Sequence, residues 1–194
     1  RHTDYRALPE ALEEACRESG RTPEADAVLL DLGLSNVHLE DASYGISFLR
    51  EGPLDMRMDR TRGEPAAAWL NRASAKEIED VLFTLGDERW ARRIASVVVE
   101  RRKTRPLKTT SDLVECVHAA IPVAKREKRI HPATRTFQAV RIHSNKELDE
   151  MEEAMLRIAQ ILGKGGVLCV LSYHSGEDRA VKHGTTDEVP VVGD

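Results

Sequence analysis

The sequence has no long hydrophobic run, very little cysteine and no apolar leader, and each lack removes a class of protein. No stretch of the 194 residues approaches the roughly 18–20 consecutive apolar positions that a membrane-spanning helix needs, so no membrane partner is expected. The opening residues, RHTDYRALPE, carry no apolar signal region, so export is not indicated. Only three cysteines occur, Cys16, Cys116 and Cys169, far apart and each in an apolar or helical context. An odd, unclustered set argues against a disulfide framework and against a zinc site. It fits a reducing compartment, and the cytoplasm is the expected location.

What remains is a chain with 41% hydrophobic and 32% charged residues, long enough for one sizeable core or a core with an insert. The formal net charge of −4 conceals an asymmetry. Between Arg89 and Arg141 stand fourteen Lys and Arg against four acids, about +10, which leaves about −14 for everything else. A basic middle on an acidic frame suggests a docking surface for a polyanion. The plainer reading is a set of well-solvated helices. Charge by itself leaves nucleic acid, acidic protein and phosphorylated ligand open.

Apolar spacing predicts a helix over 8–19 stopped by Gly20, then a strand over 26–31. Residues 32–65, rich in Gly, Pro, Asp and Arg, read mostly as loop. Ser74 and Glu77 form a capping-box pattern ahead of Ile78, Val81, Leu82 and Leu85. Further helices follow, one with Trp90, Ile94, Val97 and Val98 on one face, and one from about Ser111 that Pro122 stops. Leu148, Met151, Met155, Ile158 and Leu162 mark another helix, closed by GKGG. The last strand, VLCVL, runs into SYHS.

Two near-continuous apolar strands, the second preceded by a helix, suggest a parallel sheet covered on both faces. Ligands of such sheets bind beyond the carboxyl ends of the strands. Asp31, which halts the run AVLL, and Ser172 with His174 are therefore expected at one edge. The intervening residues far exceed one crossover, so the helical part is read as an insertion.

Four stretches, LLDLGLSN (29–36), YGISFLREGPLDMRMD (44–59), HPATRTFQAVRI (131–142) and SYHSGEDRAVK (172–182), resemble in order and spacing the ribosomal RNA small-subunit methyltransferase H family, also called MraW. The resemblance runs from about Tyr5 to Lys182. It implies a Rossmann-like α/β class I methyltransferase sheet, incomplete here, with an inserted helical domain: 1–43 and 131–194 in the methyltransferase domain, 44–130 in the insert. It further implies methyl transfer from S-adenosylmethionine to the 4-amino group of a cytidine in the decoding region of small-subunit rRNA. The partner would be that rRNA or the small ribosomal subunit, with a homodimer left open.

By the same resemblance Tyr5, Asp31 and His38 contact the cofactor, His38 standing where the family has Gln. Gly176 stands where a Leu is usual. Asp31, His174 and Ser175 are the catalytic candidates, and Arg135 and Arg141 the candidates for rRNA phosphates. The family's glycine-rich turn after its first strand has no counterpart in these residues, and neither has its ribose-binding acid. Weak cofactor affinity is therefore expected, and a non-catalytic remnant that binds RNA through the basic helices is the alternative. A helical protein-interaction module is a third reading. Plainer roles also stand: Asp31 as a turn cap, His174 as a structural histidine, GPLDMRMD as a rigid turn, and Phe137 and Gln138 as packing residues.

Overall fold

A computed structural model describes residues 3–185. In chain order the elements are α1 (Leu8–Ser19), β1 (Ala25–Asp31), α2 (Asn36–Glu40), α3 (Ala66–Arg72), α4 (Ala75–Gly86), α5 (Ala91–Thr104), α6 (Thr110–Ala120), α7 (Thr134–Asn145), α8 (Met151–Gln160), β2 (Leu162–Leu171) and α9 (Ser175–Thr185). They form two compact units. One comprises the residues up to Gly33 and those from Leu148 onward; the other is Leu34–Glu147. Residues 186–194, at the end of the stretch read as methyltransferase domain, lie outside the described residues.

The first unit is α/β. β1 and β2 pair in parallel, with Asp31 opposite Leu171, so both strands reach the same edge. Val28, Leu30 and Leu32, at alternate positions, bury against Met151, Met155 and Ile158 of α8 and Ala180 of α9. The opposite face carries Leu29, Val167 and Leu171, all exposed. The expected sheet covered on both faces is thus covered on one among the described residues, because α8 and α9 pack on the same side. β2 also starts at Leu162 rather than Val167. The GKGG segment, read as a helix stop, is instead a bulge: the pairing jumps from Ala25–Leu162 to Ala27–Val167, and Gly165 takes φ +82°.

The second unit is helical, and its helices begin where local chemistry predicts. Ser74 Oγ accepts from the Glu77 N–H at 3.2 Å while Glu77 Oε2 accepts from the Ser74 N–H at 2.7 Å. Thr109 and Asp112 repeat the device for α6. Leu82, Ile94, Val98, Leu113 and Val117 share one buried cluster with Phe137 and Val140. The compact unit Leu34–Glu147 includes α7 in its core. Gly86 lets α4 and α7 approach closely: a Cβ there would lie 2.6 Å from the Arg135 carbonyl oxygen.

GPLDMRMD is a structural turn in this unit. Leu54 and Met56 are fully buried, Met56 at φ +63°. Asn145 clasps the segment, its Oδ1 accepting from the Met58 N–H and its Nδ2 donating to the Met56 carbonyl, both at 2.7 Å. Arg57 donates to Asp55 at 2.6 Å and to the carbonyls of Arg60, Arg62 and Gly63.

Candidate active site

In the α/β unit the parallel register does the placing. Because Asp31 stands opposite Leu171, the residues after Leu171, namely Ser172, Tyr173, His174 and Ser175, emerge beside it. The contact that joins the two tips is the Tyr173 hydroxyl, which donates to Asp31 Oδ1 at 2.8 Å. Both residues are exposed. The hydrogen bond to Asp31, with the carboxylate's charge behind it, raises the phenol's pKa above its ordinary value, so the hydroxyl keeps its proton near neutrality.

Gly33 makes this arrangement fit. It takes φ +90°, a conformation that suits glycine, and a Cβ there would stand 3.2 Å from the Tyr173 ring. The glycine two places after the carboxylate thus turns the chain away and leaves room for the tyrosine.

His174 sits differently. Its side chain is about 10% exposed, and its Nδ1 accepts from the Glu177 N–H at 3.3 Å. Its Nε2 lies 3.3 Å from Glu177 Oε1 and is buried with no hydrogen-bond partner among the described residues. Glu177, itself 1% exposed, accepts from the Tyr173 N–H at 2.8 Å. His174 and Glu177 together brace the turn that presents Tyr173. Ser172 and Ser175 are exposed at the same turn, Ser175 opening α9. Tyr5 is half-buried against the apolar cluster of β1 and α8.

The remaining sequence candidates lie in the helical unit. His38 takes Ser35 Oγ to its Nδ1 at 3.2 Å and meets the Tyr44 ring edge-on at 5.0 Å. Arg141 forms a bidentate pair with Glu147 at 2.9 and 2.8 Å, and both side chains are nearly buried. That guanidinium is paired within the unit. Arg135 is paired with Glu127 at 2.7 Å on the wall of a basic cleft.

Tyr173 is the residue the sequence reading passed over. It lies between Ser172 and His174, and only the strand register brings its hydroxyl to Asp31.

The MraW methylase family model matches residues 1–190. The chain belongs to that family. Two proteins it resembles both carry the name ribosomal RNA small subunit methyltransferase H. The protein from Chromohalobacter salexigens is 51% identical over 178 residues, covering 92% of this chain and 53% of that protein. The protein from Bordetella petrii is 50% identical over 181 residues, covering 93% of this chain and 48% of that one. The chain therefore spans about half the length of the curated relatives it matches. Membership in the MraW family makes the parallel pair and its helices part of a Rossmann-like methyltransferase fold. It also makes the Asp31–Tyr173 tip the natural place to look for chemistry.

Proposed function

We propose that the chain acts in S-adenosylmethionine-dependent methylation of small-subunit rRNA, with the 4-amino group of a decoding-region cytidine as acceptor. The observation carrying this reading is the exposed Asp31–Tyr173 pair at the carboxyl end of a parallel strand pair in an MraW family member.

The residues present fit a cationic cofactor. Asp31 offers an exposed anionic acceptor at the strand tip, its Oδ1 accepting from the Tyr173 hydroxyl. Asp31 would hold the cofactor, with Tyr5 contributing as the family resemblance implies. When bound, S-adenosylmethionine supplies an electrophilic methyl group on a good leaving sulfur. The chain's own work is then positioning, which is where most of the gain in such a displacement lies. Cytosine's amino nitrogen shares its lone pair with the ring, so an acceptor near its hydrogens localises that pair and takes the proton released as the N–C bond forms. Tyr173, donating to Asp31 Oδ1, orients the carboxylate, while Ser172 and Ser175 offer hydroxyl oxygens at the same turn. With its Nδ1 engaged and its Nε2 buried, His174 acts here as a positioning residue.

The test is methyl transfer from labelled S-adenosylmethionine to small ribosomal subunits, with the labelled nucleoside identified after digestion. Label in N4-methylcytidine is expected, and Asp31→Asn should lower the rate by about a hundredfold or more. Transfer unchanged by Asp31→Asn would remove Asp31 from the site. No transfer and no heat of cofactor binding, with salt-dependent RNA binding retained, would replace catalysis by the non-catalytic RNA-binding role.

A further inference from the structure

The helical unit holds a cleft of about 130 Å³. It lies between the start of α5 and the segment joining α6 to α7. Its apolar surface comes from Trp90, Ile121, Ile130 and Pro132. Trp90 is half-buried where α5 begins, so part of its indole remains open to a ligand.

The charges around this surface divide into committed and available. Arg126 is held by the end of α6, donating to the His118 carbonyl at 2.9 Å and the Ile121 carbonyl at 3.3 Å. Arg135 is held by Glu127. Arg89 and Lys125 also line the cleft and are exposed, and neither side chain makes a hydrogen bond or ion pair among the described residues. Lys128 and Arg129 follow at once, also exposed. Two carboxylates also line the cleft: Glu127, paired with Arg135, and Glu88, 3% exposed, whose Oε1 accepts from the Trp90 N–H at 3.0 Å and so fixes the start of α5.

His131 adds a second ring to the lining. It stacks on Phe48 at 4.5 Å, its Nδ1 accepts from the Ala133 N–H at 3.2 Å, and it stands 5.4 Å from His118. Arg89 and Lys125 without partners, beside a partly open indole and a fixed imidazole, match the parts of a single-stranded nucleic acid. Each base has a face to stack and each linkage a charge to neutralise. A duplex would present phosphates but no free base faces, leaving the aromatic lining unused.

We propose that this cleft holds one unpaired nucleotide of the substrate RNA, with the base against Trp90 and His131 and the adjoining phosphate on Arg89 and Lys125. The proposal rests on RNA being the substrate class, but it concerns binding in the helical unit and does not depend on methyl transfer.

The two tryptophans make it testable on the full chain, since Trp69 is 5% exposed and Trp90 is the one that faces the cleft. Titration with a single-stranded oligoribonucleotide should quench tryptophan emission saturably. The Trp90→Phe variant should lose that quench. The double variant R89Q/K125Q, checked for an unchanged Tm, should bind more weakly, with a slope of log affinity against log salt shallower by about 2. Salt-dependent RNA binding with no quench, and with wild-type affinity in R89Q/K125Q, would overturn the cleft and leave the methylation reading standing. Methyl transfer that fails while the quench and the slope change persist would do the reverse. Binding of polyglutamate in place of RNA would assign the cleft to an acidic protein and overturn the proposal.

Discussion

At the scale of single residues, the hydroxyl of Tyr173 decides how the strand tip reads. A carboxylate ending a strand is ambiguous, since it can cap a turn or serve a ligand. Here its Oδ1 accepts a hydrogen bond from a side chain 142 residues away, a contact that no local turn explains. The phenol's raised pKa follows from the same contact, so it is open to measurement. The chain has three tyrosines, and a spectrophotometric titration should show one ionising above the ordinary range near pH 10. Because the folded pKa is raised, the contact's contribution to stability is present below that range and lost as pH rises through the folded value. Asp31→Asn removes the charge and should return the phenol toward its ordinary pKa. An unchanged titration would separate the two residues.

At the scale of elements, α6 shows how a buried charge is satisfied. Asp112 is 2% exposed, and burial alone would raise its pKa. The backbone N–H groups of Lys108 and Thr109, each at 2.9 Å, outweigh that, together with Arg101 at 2.8 Å and the charge of Arg105. The carboxyl is therefore held below its ordinary value. A lowered folded pKa means that the stabilisation is present above the unfolded pKa, near 4, and is lost as pH falls through the folded value. Asp112→Ala should cost about 2 kcal/mol at pH 7, as a helix cap and a charged hydrogen bond are lost together. In urea titrations the gap between variant and parent should close as the solution is acidified below about pH 4. A gap independent of pH would show that the carboxylate's charge is not what holds the cap.

At the scale of the whole molecule, the division at 33/34 and 147/148 predicts that residues 34–147 fold alone. That stretch contains its own buried cluster, from Ile46 to Val140, and both capping boxes. Its length lies within the usual range for a domain. Expressed separately, it should give a helical circular dichroism spectrum and one cooperative melt. A gradual, non-cooperative melt would mean that its core needs the α/β unit.

Much of this was legible in the sequence. The starts of α4 and α6 were readable because a capping box lies within four residues, and the end of α1 because Gly20 sits in the left-handed conformation that glycine suits. GPLDMRMD is conspicuous as a motif and proves to be internal carpentry, with Leu54 and Met56 buried and its backbone clasped by Asn145. The packing of α7 on α4 has no local signal, because α4 lies far back in the chain. The GKGG bulge was missed because glycines stop helices and kink strands alike, and only the facing strand tells which.

The sequence by itself determined where most of the helices start, that two apolar strands exist, that the basic charge gathers in the middle, and the family. Those properties are short in range or additive along the chain. Tertiary structure alone decided that Tyr173 meets Asp31, that Arg141 pairs with Glu147, and that Arg89 and Lys125 share a cleft with Trp90. Each of those depends on strand register or helix packing, where a shift of one residue would point a side chain to the other face.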